Sequence, residues 1–238
     1  MLLPGPLKGI FKSRSGQPGN GTPPRANQHA NAGGTLTGPR NGASTPAPAI
    51  RPSRGLEEFF GYIRGQSGLT ILDLSGATQK NVSFITDLGH RLYSEDFLRI
   101  LNESFGPDGA DQSNPGRIEY FLKQALDYQE AQFDGVLAWD VLEYLSPSLL
   151  AAVIERLQHI VRPKSYMLAF FHADDKQELV QSYTFRIAGV SALEVSQQGM
   201  RRPMQLFNNR SVEKLFGGFA SVKFFLTKER LREVIVKV

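Results

Sequence analysis

Three short apolar runs limit what this chain can fold into. Leu69-Thr70-Ile71-Leu72-Asp73-Leu74, Phe133-Asp134-Gly135-Val136-Leu137-Ala138-Trp139-Asp140 and Tyr166 to Phe171 are each strand-sized, with apolar residues at successive positions. Such runs suit strands buried on both faces rather than strands with one wet side. Segments of helical period lie between them. Leu56, Phe59, Phe60 and Ile63 fall on one helical face. Leu149, Leu150, Val153, Ile154, Leu157 and Ile160 form another, behind a Ser146-Pro147 start and ahead of a stop near Pro163. Strands alternating with helices at this spacing predict an α/β fold with a mostly parallel sheet covered on both faces.

The remaining segments fit that frame. Val82 to Leu88 reads as a helix closing at Gly89, a suitable glycine past a helix end. His90 to Tyr93 reads as a short strand before the acidic Glu95-Asp96, and Phe97 to Phe105 as helix. Residues 106–116 form a polar loop, and Ile118 to Gln124 continues as helix or passes into strand. Thr184 to Ile187 and Ala192 to Val195 look like extra short strands. Ser211 to Phe216 reads as helix, ending at Gly217-Gly218. Ser221 to Leu226 and Val234 to Val238 have a short connection between them and so pair antiparallel.

Charge divides the 238 residues unevenly. Residues 1–54 hold seven Lys+Arg, no Asp or Glu, nine of the 14 prolines and nine of the 23 glycines. The net charge of +4 is therefore a +7 tail joined to a body of −3. The tail lacks hydrophobic periodicity and reads as disordered, with residues 55–238 as the folded domain. Its seven cations are spread over 54 positions with a single aromatic, Phe11, among them, which argues against a nucleic-acid partner. There is no cysteine, so disulfides, thiolate metal sites and cysteine nucleophiles are excluded. The four histidines stand at no metal-ligand spacing. No apolar run approaches the about 18–20 residues of a membrane span. The opening Met1-Leu2-Leu3-Pro4-Gly5-Pro6 does not read as a secretory signal. The expectation is a soluble, cytoplasmic protein.

Four segments, in this order, resemble the class I S-adenosylmethionine-dependent methyltransferase family. Ile71-Leu72-Asp73-Leu74-Ser75-Gly76-Ala77-Thr78 resembles its first strand and glycine-rich turn. Gly89 to Asp96 resembles the second strand and its terminal acid. Phe133 to Leu145 resembles the fourth strand and the turn into the next helix, and Glu213 to Val238 the family's ending. The resemblance covers roughly residues 56–238. It implies a Rossmann-like three-layer sandwich, a mostly parallel sheet with a C-terminal antiparallel strand, S-adenosylmethionine as cofactor, and a small-molecule or other methyl acceptor.

The resemblance also implies roles for particular residues. Asp73 would orient the cofactor's amino end, with Ser75, Gly76 and Ala77 forming the turn close to it. Asp96, with Glu95 as rival, would accept the ribose hydroxyls. Asp127, after a third strand over Phe121 to Leu126, would accept from the adenine amino group. Trp139 would offer an apolar face to the adenine or methionine part, and Asp140 would orient a polar group or the acceptor. His172, after the fifth strand, is the best-placed general base, and Glu143 reads as a helix-start or solvent-facing residue. The segment 175–203, with Arg201-Arg202, lies where such folds place substrate-facing insertions.

One departure divides the functional readings. In the family's Asp-x-Gly-x-Gly-x-Gly register, Ser75, Ala77 and Gln79 replace the three glycines, and Gly76 stands one place out. A left-handed position in this turn then falls to Gly76. Two functions follow: a methyltransferase, or a catalytically silent methyltransferase-like binding or scaffold domain. Methyl transfer depends on aligning the nucleophile with the methyl group and excluding water. It needs no fixed catalytic motif.

Overall fold

The computed structural model describes residues 47–106, 109, 111–227 and 231–238. The disordered tail expected over residues 1–54 lies, up to residue 46, outside the described residues. Its last part is ordered. Ala49–Pro52 forms strand β1, and Ser53 caps helix α1 (Arg54–Ile63), its hydroxyl accepting from the Leu56 amide at 3.1 Å. β1 pairs antiparallel with the hairpin strand β7, described below, with Ile50 exposed. Backbone pairing rather than burial holds it, so hydrophobic periodicity does not reveal it. Pro52 is tolerated because it ends a strand at the sheet edge.

The central elements follow as β2 (Thr70–Asp73), α2 (Gln79–Asp87), β3 (Arg91–Ser94), α3 (Phe97–Phe105) and α4 (Pro115–Ala125). Next come β4 (Phe133–Trp139), a 3-10 turn (Val141–Tyr144), α5 (Pro147–Ile160) and β5 (Val161–His172). The chain ends with β6 (Val180–Gly189), β7 (Ala192–Arg201), α6 (Asn209–Leu215), β8 (Ser221–Leu226) and β9 (Leu231–Lys237). The main sheet has the order β3-β2-β4-β5-β9-β8. Its first four strands are parallel, β9 runs antiparallel to β5, and β8 antiparallel to β9. The expected Rossmann-like α/β class, with its antiparallel C-terminal end, is what the chain adopts.

Both faces of the sheet are covered. One core joins Leu72, Val136, Ala138, Met167 and Phe171 to α3, α4, α5 and α6. The other joins Ile71, Leu137, Trp139, Leu168 and Phe170 to α1, Ile85 of α2 and the β6–β7 hairpin. The short strands expected at 184–187 and 192–195 are the parts next to the turn of a hairpin whose two strands have ten residues each. Phe185, Ile187, Leu193 and Val195 point into this core, and Val180 at the far end of β6 is buried in the other.

The third parallel strand expected over Phe121 to Leu126 is not formed. That segment ends helix α4, which Asn114 caps by accepting from the Arg117 amide at 3.1 Å, with Pro115 at the first helical position. Phe121 and Ala125, one turn apart, face the core, and Phe121 packs edge-on against Phe97 of α3 at 5.0 Å. β3 is thereby an edge of the sheet. Among the described residues no helix is long and apolar enough to cross a membrane.

Candidate functional site

In an open α/β sheet, ligands bind beyond the strand carboxyl ends, where the strand order reverses. Here that point lies between β2 and β4. Asp73 stands at its centre, wholly buried. Its Oδ1 accepts from the Ser75 amide (2.9 Å), the Ser75 hydroxyl (2.7 Å) and the Trp139 indole N–H (2.7 Å). Its Oδ2 accepts from the Asn81 amide group at 2.9 Å. Burial pushes this carboxyl above its ordinary range, and the four donors pull it back. All four come from the chain itself.

Asn81 had no signal in the sequence. It is wholly buried on the first turn of α2, and its Oδ1 accepts from the Ile187 amide at 2.8 Å. It thus ties Asp73 to the β6 strand. A buried amide that satisfies groups on two other elements depends on tertiary contacts that no local pattern records.

The turn after β2 follows the glycine reading. Gly76 has φ +87°, and neither Ser75 nor Ala77 leaves the ordinary region. The turn is stitched to the chain after β3. The Gly76 amide donates to the Glu95 carbonyl (3.0 Å), the Glu95 amide to the Asp73 carbonyl (2.8 Å), and Ser75 bridges to Asp96. The two acids named for the ribose differ in exposure: Glu95 is half-buried and Asp96 is exposed. Asp96 caps α3 by accepting from the Arg99 amide at 3.1 Å, and Glu95 accepts the Tyr128 hydroxyl. Asp127 is not brought to this site. It is exposed beside Thr70, Arg91 and Arg162, at the amino ends of the parallel strands, because α4 replaces the strand that would have carried it.

Trp139 fills the space between these groups. Its indole stacks on Phe185 at 5.3 Å and 5°, and meets Phe170 edge-on at 5.6 Å. Its backbone sits at φ +51°, a strained position for a residue with a Cβ, where the β4–β5 register shifts.

Asp140, the next residue, is 4% exposed, and its Oδ2 has no hydrogen-bond partner. Burial raises its carboxyl to about 7; Glu143 adds to the rise, while His172 and Arg201 oppose it. Glu143, expected at a helix start or in solvent, is wholly buried. Its Oε2 lies 2.5 Å from His172 Nδ1, and its Oε1 accepts the His172 amide at 3.0 Å. Burial raises Glu143. Burial also works against the charged His172, but Glu143, the Gln181 carbonyl at 3.0 Å from Nε2, and Asp140 outweigh it and raise the imidazole. With an acceptor on each ring nitrogen, His172 has no free lone pair to take a proton. Among the described residues, no group of three or more His, Asp or Glu could hold a metal ion.

No protein-family model and no curated protein sequence matches the chain. Solved structures of similar fold do. The 1,6-didemethyltoxoflavin-N1-methyltransferase of Burkholderia thailandensis, solved with 1,6-didemethyltoxoflavin and S-adenosylhomocysteine, is 12% identical, with a TM-score of 0.43 over 77% of this chain and 76% of its own. A SAM-dependent methyltransferase from Archaeoglobus fulgidus is 15% identical (TM-score 0.42, over 77% and 91%). One from Methanosarcina mazei is 12% identical (TM-score 0.42, over 72% and 93%). The likeness is one of strand and helix arrangement. The order β3-β2-β4-β5-β9-β8 lacks the third parallel strand expected over Phe121 to Leu126.

Proposed function

We propose that this chain is a methyltransferase-like domain whose cofactor crevice is closed by its own side chains, and that it works as a binding module rather than a methyl-transfer catalyst. One observation carries the reading: the Trp139 indole is bonded to Asp73 and stacked on Phe185, across the strand ends where a cofactor would lie. S-adenosylmethionine would need an Asp73 open to its amino end, a free acid after β3 and an open floor after β4. In this conformation Asp73 and Trp139 serve each other while Asp96 stays exposed after β3, so it is the floor after β4 that does not fit the cofactor as it stands.

S-adenosylmethionine-dependent methyl transfer is the second reading. It is favoured by the strand order and by the placement of Asp73 and a left-handed Gly76 at the expected turn. It requires Trp139 to leave its place. Thermal unfolding with and without S-adenosylmethionine separates the two, because a ligand of the native state raises the midpoint. The binding-module reading expects no shift at millimolar ligand. A saturable rise would overturn it in favour of the methyltransferase.

A further inference from the structure

The chain that crosses the 3-10 turn after β4 brings two cations to a hollow outside the Asp73–Trp139 packing. Arg201, the last residue of β7, and Arg202 line a cavity of about 250 Å³, together with Asn102, Gln112, Tyr144 and Met204. At roughly 30 Å³ per water, the space is several times that of one solvent molecule. The walls are fixed from within. Gln112 donates to the Tyr144 carbonyl (3.3 Å) and accepts from the Ser146 amide (2.6 Å), and the Met204 amide donates to the Glu143 carbonyl (2.9 Å).

Among the described residues, the side chains of Arg201 and Arg202 and the Tyr144 hydroxyl have no hydrogen-bond partner. Among the described residues no carboxylate is in ion-pair contact with either arginine, though Arg201 acts at longer range on the buried Asp140; Arg201 lies over the Tyr144 ring, 5.1 Å from its centroid. Tyr144 is 3% exposed, and its hydroxyl has no hydrogen-bond partner. A buried hydroxyl left unpaired is unfavourable, and a ligand that accepts from it relieves that cost. Unpaired guanidinium groups beside it supply the forked donors that carboxylate and phosphate accept. Met204 and the Tyr144 ring add an apolar wall.

We propose that this hollow binds a small organic anion, a carboxylate or phosphate monoester with an apolar or planar body. Arg201 and Arg202 hold the charged group, and the body lies against Tyr144 and Met204. The site shares no residue with the closed crevice, so it exists with or without a methyl donor.

The test is thermal unfolding of the full chain with benzoate, phenyl phosphate or inorganic phosphate, each against chloride at matched ionic strength. At least one of the two organic anions should raise the midpoint at millimolar concentration. Which of them does so tells carboxylate from phosphate. Arg202→Gln should weaken that binding about tenfold or more. Arg202 is exposed, so this variant keeps the unliganded midpoint and stays readable even if Arg201→Gln disturbs the Tyr144 packing. The proposal is overturned if neither organic anion exceeds chloride, if inorganic phosphate alone does so, or if the shift survives undiminished in both arginine variants.

Discussion

The indole N–H of Trp139 donates to Oδ1 of Asp73 at 2.7 Å, joining the carboxyl ends of β4 and β2 across 66 residues of chain. Together they form a buried polar link, sealed by Phe185 on the indole face and by Asn81 on the carboxylate's other oxygen. The inserted hairpin is what makes the seal possible, because β6 supplies both Phe185 and the Ile187 amide that fixes Asn81.

Removing the indole tests both packing and backbone strain. Trp139→Ala should destabilise the chain by about 3–5 kcal/mol, through the cavity it leaves and the donor it takes from Asp73. Glycine is ordinarily the worse replacement. At φ +51° the order should reverse, with Trp139→Gly at least as stable as Trp139→Ala. Urea unfolding of the two variants decides it. A glycine variant clearly weaker than alanine would mean that position 139 carries no strain.

Asn81 is the second control on the same link. Asn81→Ala leaves the Ile187 amide without an acceptor and Asp73 one donor short, and should cost about 3 kcal/mol. Asn81→Asp sets a second carboxyl beside Asp73 Oδ2. The like charges should make it less stable than Asn81→Ala at neutral pH, with recovery as the pH falls and one carboxyl takes a proton. An Asn81→Asp variant as stable at pH 8 as at pH 5 would show that the two carboxyls do not face each other.

The parallel core was legible because its signal is local and redundant. The apolar runs of β2, β4 and β5, and the Ser146-Pro147 start of α5, leave few alternatives. Asn114-Pro115 carries the same helix-start signal and makes the segment through Ala125 a helix, which leaves Asp127 at the amino ends of the parallel strands. The site was less legible for a different reason. The side chains at the strand ends are held by partners that no local pattern records: Asp73 by Asn81 and Trp139, Trp139 by Phe185, Glu95 by Tyr128 and Glu143 by His172. A buried Glu143 gives no periodic signal, because a charged residue in an apolar stretch reads as a solvated one until its partner is known.

Asp140 should make the chain less stable as the pH rises. Its folded carboxyl is raised to about 7 from an ordinary 3.8, so the folded chain holds that proton more tightly than the unfolded chain does. The stabilisation is complete below about pH 4 and lost as the pH rises through 7. Asp140→Asn removes it. The stability difference between variant and wild type should move in the variant's favour by on the order of 4 kcal/mol between pH 4 and pH 8. Surface carboxyls titrate alike in both proteins and cancel. Denaturant unfolding across this range measures the difference, and parallel curves would show that Asp140 ionises as freely in the fold as in the open chain.

Glu143 and His172 should behave as one unit. Glu143→Gln strips the counter-charge from a buried imidazole that has acceptors on both nitrogens, and should cost about 3–5 kcal/mol at neutral pH. His172→Gln should cost a similar amount, and the double variant less than the sum, with a coupling of about 1–3 kcal/mol. The pH dependence separates an ion pair from simple packing. The folded His172 is raised above 6.5, so its contribution is full below that pH and lost as the pH rises through the folded value. Glu143→Gln takes away the main partner holding the proton, and this slope should flatten. Additive single variants with an unchanged slope would reduce the pair to two separately packed side chains, and the link from the turn after β4 to the end of β5 would then rest on backbone pairing alone.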